Sequence, residues 1–211
     1  MVSVYVSYAW KEKEQNRLVD KLGEACVAHG IELRCDTTSI GYGDSIRQFM
    51  DEIGAGRHVV LVLSEAYFKS DCCMYELRQI YDHKAFRQRV NPIVLSGTRF
   101  RKPIDRVPYL AYWDKEIADL QAALSGLTNP MNSLNLRQHL DGYAECRRLI
   151  DELQSILADM NTLTEEVHVG TDFAALLDRI LPQAALAAPD PFRTQITNEI
   201  RNILASSSRL T

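Results

Sequence analysis

Val59-Val60-Leu61-Val62-Leu63 is apolar at every position. A strand with one wet face alternates in character. A strand with no polar position has to be covered on both sides, as the central strand of a parallel sheet is. The neighbouring segments follow one order. Val2 to Ser7 is a β-branched and aromatic run. Leu18, Leu22, Ala25, Cys26 and His29 then fall at helical spacing, and Gly30 stands where such a helix ends in a left-handed residue. Ile31 to Cys35 alternates as a strand. Asp44 can cap a second helix with Ile46, Phe49, Met50 and Ile53 on its buried side. Gly54 and Gly56 lead into the apolar strand. A helix through Cys73, Leu77 and Ile80 follows it, Pro92 to Leu95 reads as a fourth strand, and Tyr109 to Trp113 as a fifth. Strand and helix in strict alternation argue for an α/β fold, a parallel sheet flanked by helices.

Composition excludes several classes. The net charge of −4 and scattered basic residues disfavour direct nucleic-acid binding. Arg87, Arg89, Arg99, Arg101, Lys102 and Arg106 are the one basic concentration, read as a solvated rim. No apolar stretch approaches the roughly 18 residues of a membrane span, and the N-terminus is a strand and not a signal peptide. Cys26, Cys35, Cys72, Cys73 and Cys146 are odd in number and mostly in apolar patterns, as reduced buried thiols of a cytoplasmic protein would be. Cys72-Cys73 with no His or Cys pair nearby is a poor zinc signal, so no metal is expected.

Three stretches carry a family resemblance. Val4-Tyr5-Val6-Ser7-Tyr8-Ala9 is similar to the first strand of the Toll/interleukin-1 receptor (TIR) domain. Ile40-Gly41-Tyr42-Gly43-Asp44-Ser45-Ile46 resembles the loop after that family's second strand, and Ser64 through Leu77 its S-x-x-(Y/F)-x-x-S-x-W-C-x-x-E-L box. The last is the specific one. The resemblance covers residues 1–113 continuously and resumes near 171, points to the bacterial members, and implies a flavodoxin-like sheet of five parallel strands with a helical insertion or extension after strand five.

The remainder is less typical. Ile117, Leu120, Leu124 and Leu127 continue a helix up to Asn129-Pro130. Cys146, Leu149, Ile150, Leu153, Ile156, Leu157 and Met160 form an apolar stripe in steps of three and four. Residues 1–182 are expected as the TIR domain, with 114–168 a helical-hairpin insertion and 171–181 the final helix, Asp172 near its start. A rival division makes 114–127 the final helix and 140–181 an appended bundle. Residues 183–191 read as a linker. Phe192, Ile196, Ile200, Ile203 and Leu204 begin an amphipathic helix, expected as the start of a truncated further domain that would act as a sensor.

The resemblance implies one of two functions. Some TIR domains are scaffolds that bind other TIR domains. Others cleave NAD⁺ at its nicotinamide–ribose bond with one glutamate, here matched by Glu76, giving ADP-ribose or a cyclised product, with NAD⁺ as substrate and no further cofactor. The dinucleotide would lie at the carboxyl ends of the strands. Ser7, Tyr8, Ala9 and Trp10 border that cleft, with Tyr8 and Trp10 as stacking surfaces, although Trp10 packing on the first helix is the competing role. Asp36 and Asp44 line the same edge, Asp44 also being a candidate cap. Cys72 stands four residues before Glu76, where NAD⁺-cleaving relatives often carry Trp, and Tyr75, Phe68 and Trp10 are the candidate substitutes for that ring. Gly41, Tyr42, Gly43 and Asp44 are the expected assembly loop for head-to-tail self-association, and anti-phage defence is the implied role. Gly41-Tyr42-Gly43 is not a Rossmann fingerprint: Ile46 occupies the third glycine position and the loop follows the second strand.

Overall fold

The computed structural model describes residues 2–10, 13–35, 39, 42–43, 45–127 and 133–181. The chain divides into two compact units, 1–173 and 174–211. Unit one opens with β1 (Val2–Ser7), α1 (Lys13–Ala28) and β2 (Ile31–Arg34), then α2 (Ile46–Ala55) and β3 (Val59–Leu63). The short α3 (Glu65–Phe68), α4 (Asp71–Asp82) and α5 (Phe86–Arg89) precede β4 (Val90–Val94). Two long helices, α6 (Pro103–Ser125) and α7 (Leu134–Ala158), come before β5 (Leu163–Thr164) and α8 (Glu165–Gly170). The helix of unit two, α9 (Ala174–Ile180), has Leu176, Leu177 and Ile180 as its buried residues.

The sheet has five strands in the order β2-β1-β3-β4-β5. All pairs are parallel, with Val2 opposite Ile31, Tyr5 opposite Val59, Val59 opposite Val90 and Ile93 opposite Leu163. The order reverses between β1 and β3, which makes the carboxyl ends of those two strands the switch point where open α/β sheets take ligands. All five side chains of β3 are fully buried, as an all-apolar strand requires.

The fifth strand is not at Tyr109–Trp113. That segment lies inside α6, where Pro103 opens the helix at a position that needs no N–H. Tyr109 and Trp113 stand four apart, so both point inward. The Trp113 indole donates to the Phe68 carbonyl at 3.0 Å, and the Tyr109 ring meets Phe68 at 5.2 Å between centroids. α6 and α7 run antiparallel, because Arg106 pairs with Asp151, Trp113 meets Tyr143, and Asp114 pairs with Arg147. Residues 114–168 thus hold the end of α6, α7, β5 and the start of α8. Asp172 and Phe173 precede α9 with positive φ values of 48° and 58°.

Other expectations are corrected locally. Ser45 provides a cap contact to α2, accepting from Gln48 N at 3.3 Å, and Ile46 is exposed. Arg89 is no solvated side chain. It donates to the carbonyls of Gly56 (2.7 Å), Ile80 and Gly54, closing the C-terminal ends of α2 and α4, where a cation is favoured. Arg106 likewise donates to Phe100 O at 2.9 Å. Gly56 is required by close approach, since a Cβ there would lie 2.6 Å from the Tyr5 ring. The five cysteines are free thiols, but Cys72 is exposed. Among the described residues no helix is long and apolar enough to cross a membrane, and no group of three His, Cys, Asp or Glu could hold a metal ion. Residues 183–211, which include the expected linker and further helix, lie outside the described residues.

Candidate functional site

Ser70 begins α4 by accepting from Cys73 N, and Asp71 occupies the first turn. Cys73, Leu77 and Ile80 then face the sheet. Glu76 projects from the edge of that inward face and is only 5% exposed. An isolated buried carboxylate would cost several kcal/mol or more, so it needs partners. Ser7, the last residue of β1, donates its hydroxyl to Glu76 Oε2. Ser7 Oγ also lies 2.9 Å from the Tyr67 hydroxyl. Ser7 has one proton and gives it to the carboxylate, so Tyr67 is the donor in the second bond. Burial, then the Cys73 thiol and the Glu76 carboxylate beside it, raise the Tyr67 pKa well above its ordinary value, against the smaller opposing effect of the Ser7 bond. Tyr67 therefore keeps the proton it donates.

A second bridge runs beside the first. Gln15 on α1 is fully buried. Its carbonyl accepts from Ala9 N at 2.9 Å, and its amide donates to Ser64 Oγ at 2.8 Å. Ser64 Oγ also accepts from Tyr67 N at 2.9 Å, capping α3. Ser7 and Ser64 stand at the ends of β1 and β3, so the two bridges meet at the switch point of the sheet. They fix Glu76, Tyr67 and the first βα loop relative to one another. Gln15, Ser64 and Tyr67 were missed as site residues in the sequence. Ser64 and Tyr67 belong to the box ending at Glu76, and Gln15 carries no motif at all.

The remaining candidates are placed as follows. Tyr8 and Ala9 are buried beside Ser7. Trp10 is 52% exposed, which removes it from the core, and its carbonyl accepts from Asn16 Nδ2 at 3.1 Å. Tyr42 is fully exposed and Gly43 has a φ of 90°. Asp36, Gly41 and Asp44 lie outside the described residues. Cys72 and Tyr75 face away from the Glu76 network. Tyr75 donates to Asp51 at 3.2 Å and carries the Arg47 guanidinium 5.4 Å above its ring. Both line a separate cavity between α2, α4 and α7. A smaller crevice, lined by Lys13, Ser64, Glu65 and the loop 95–98, opens at the carboxyl ends of β3 and β4.

The sequence model of the TIR domain matches residues 4–126. Among curated proteins none matches the chain. Among solved structures, the TIR domains in the structure of the activated Roq1 resistosome directly recognizing the pathogen effector XopQ superpose with a TM-score of 0.57. That pair is 20% identical and covers 85% of this chain and 99% of the other.

Proposed function

The chain belongs to the TIR domain family, and we propose that it hydrolyses NAD⁺ at the nicotinamide–ribose bond, with Glu76 as the catalytic residue. The observation that supports this most is Glu76 itself, a carboxylate held by Ser7 at the switch point between β1 and β3.

The chemistry needs little more than one acid. Nicotinamide in NAD⁺ is cationic and leaves as a neutral base, taking the electron pair of the C1′–N bond. No general acid is required. Positive charge develops at C1′ and the ring oxygen, as in glycoside hydrolysis. A fixed carboxylate close to the ribose offsets that charge without reorganising during the reaction. A carboxylate has about four lone-pair sites, so it can orient a ribose hydroxyl while holding Ser7. Water then adds to C1′ and loses a proton, giving ADP-ribose; capture by a base of the substrate gives a cyclic product. Tyr67 and Ser7 keep the carboxylate in one rotamer. Trp10, half-exposed beside the buried Tyr8 and Ala9, is the ring offered to the nicotinamide or adenine. Assembly completes the site, with the exposed Tyr42 as anchor to a neighbouring copy. The activated resistosome, an assembly of TIR-bearing chains, supports that part of the reading. Cytoplasmic anti-phage defence through NAD⁺ depletion is the role the family resemblance favours.

A scaffold without catalysis is the second reading, favoured by Cys72 in the family's Trp position and by the small exposure of Glu76. Nicotinamide release measured across a protein dilution series separates the two. Catalysis by assembly predicts a specific activity that rises with concentration and falls in Tyr42→Ala. No release by wild type, even when clustered on beads at high density, would leave the scaffold.

A further inference from the structure

α4 has a second face that the Glu76 network does not use. Cys72, Tyr75 and Arg78 on α4, Arg47 and Met50 on α2, and α7 between Gln138 and Leu153 line an open-sided cavity of about 640 Å³. Sites for small organic ligands span roughly 300–1,000 Å³. α7 lies beyond residues 4–126, so this cavity is built partly by chain outside the TIR match. Met50, Met74, Leu149 and Leu153 form an apolar lining, and the Cys72 and Cys146 sulfurs lie beside them. Thioether and thiol sulfur packs well against aromatic rings.

Two guanidinium groups stand over this lining with their hydrogen-bonding capacity unspent. Arg47 lies over the Tyr75 ring and, among the described residues, donates no hydrogen bond. Arg78 Nε is 3.5 Å from Asp82 and 3.8 Å from Glu145, yet is buried without a hydrogen-bond partner. The nearby acids are partly committed. Glu145 accepts twice from Arg148, at 2.7 and 3.1 Å, and Asp71 accepts from Cys72 N at 2.8 Å. Guanidinium donors form a planar fork that fits a carboxylate.

We propose that this cavity binds an aromatic monocarboxylate, its ring against Met50 and Met74 and its carboxylate on Arg47 and Arg78. Asp71, Asp141 and Glu145 around the rim, with Asp82 beside Arg78, set the charge limit. They repel a polyanion such as a nucleotide phosphate and tolerate one negative charge screened by two arginines. The site is independent of NAD⁺ cleavage, although α4 joins it to Glu76.

The test uses the full chain, with 2-naphthoate and the neutral 2-naphthamide as probes in titration calorimetry. Naphthoate is expected to bind one per chain, at least tenfold tighter than naphthamide. Arg47→Met with Arg78→Met is expected to cost naphthoate at least tenfold and leave naphthamide unchanged. No binding of naphthoate at millimolar concentration, equal affinity for the two probes, or unchanged affinity in the double variant would each overturn the proposal. Should the double variant not fold, the wild type decides by labelling of Cys72 with N-ethylmaleimide, read by peptide mass spectrometry. Naphthoate, and not naphthamide, should slow that labelling; an unchanged rate overturns the proposal.

Discussion

Glu76 and Arg78 leave the same helix two residues apart and meet opposite surroundings. Glu76 points to the place where β1 and β3 end side by side. There Ser7 and Tyr67 supply it with a chain of hydrogen bonds, and Gln15 on α1 and Ser64 at the end of β3 brace that chain. Arg78 points to where α2 and α7 diverge and leave a cavity. Converging strand ends bring polar groups within reach of each other from several elements, so a charge buried there is held in one geometry. Diverging helices leave the Arg78 Nε–H with carboxylates nearby but no hydrogen bond. The first arrangement is prepared for a reaction, the second for a guest.

Alkaline pH should break both faces at once and give the largest effect. Burial pushes Cys26 from an ordinary 9.0 to about 11, Cys146 from 9.0 to about 12 and Tyr109 from 10.0 to about 12. Tyr67 is raised as well. The folded protein holds these protons more tightly than the unfolded chain does. Their contribution is therefore intact below pH 9 and is lost as pH rises toward about 12. Urea midpoints measured from pH 7 to 11 should be flat to about pH 9 and then fall; a rise would reverse the argument.

Next comes the packing of the inner face. Leu77 is fully buried, so Leu77→Ala should cost about 2–5 kcal/mol in equilibrium unfolding. Gly54→Ala should cost about 1–3 kcal/mol, because the new Cβ would lie 2.8 Å from Gln79 Cβ where α2 crosses α4. A neutral result would mean the two helices can separate there. Tyr67→Phe removes only the hydroxyl that feeds Ser7. It should cost about 1 kcal/mol of stability and lower the rate of nicotinamide release by loosening the carboxylate. Arg78→Met is the smallest effect, within about 0.5 kcal/mol, since its ion pairs are long and half-exposed. A large loss would make Arg78 structural and remove it as a ligand group.

The inner face was largely legible in the sequence and the outer one was not. An all-apolar β3 and the spacing of Cys73, Leu77 and Ile80 dictate the sheet and the helix covering it. Ser7 and Glu76 were legible through the family motifs, 69 positions apart and joined by one hydrogen bond. Gln15 was not, because a glutamine in an amphipathic helix carries no sign that it will be buried. Tyr109 to Trp113 misled for a physical reason: aromatic residues favour strands by composition, while the four-residue spacing of Tyr109 and Trp113 serves a helix equally well. The packing of α6 on Phe68 decides the matter, and that contact spans 45 residues. The cavity depends on how α7 lies against α4, which no local pattern records.

Glu76→Gln tests the central claim most directly. The change keeps the shape and the acceptor for Ser7 and removes the charge that would face the ribose. Nicotinamide release should drop by at least about a hundredfold, with the melting temperature within a few degrees of wild type. Release that persists at near the wild-type rate in a folded Glu76→Gln protein would contradict the account, because the carboxylate would then be only a strut between β1 and α4.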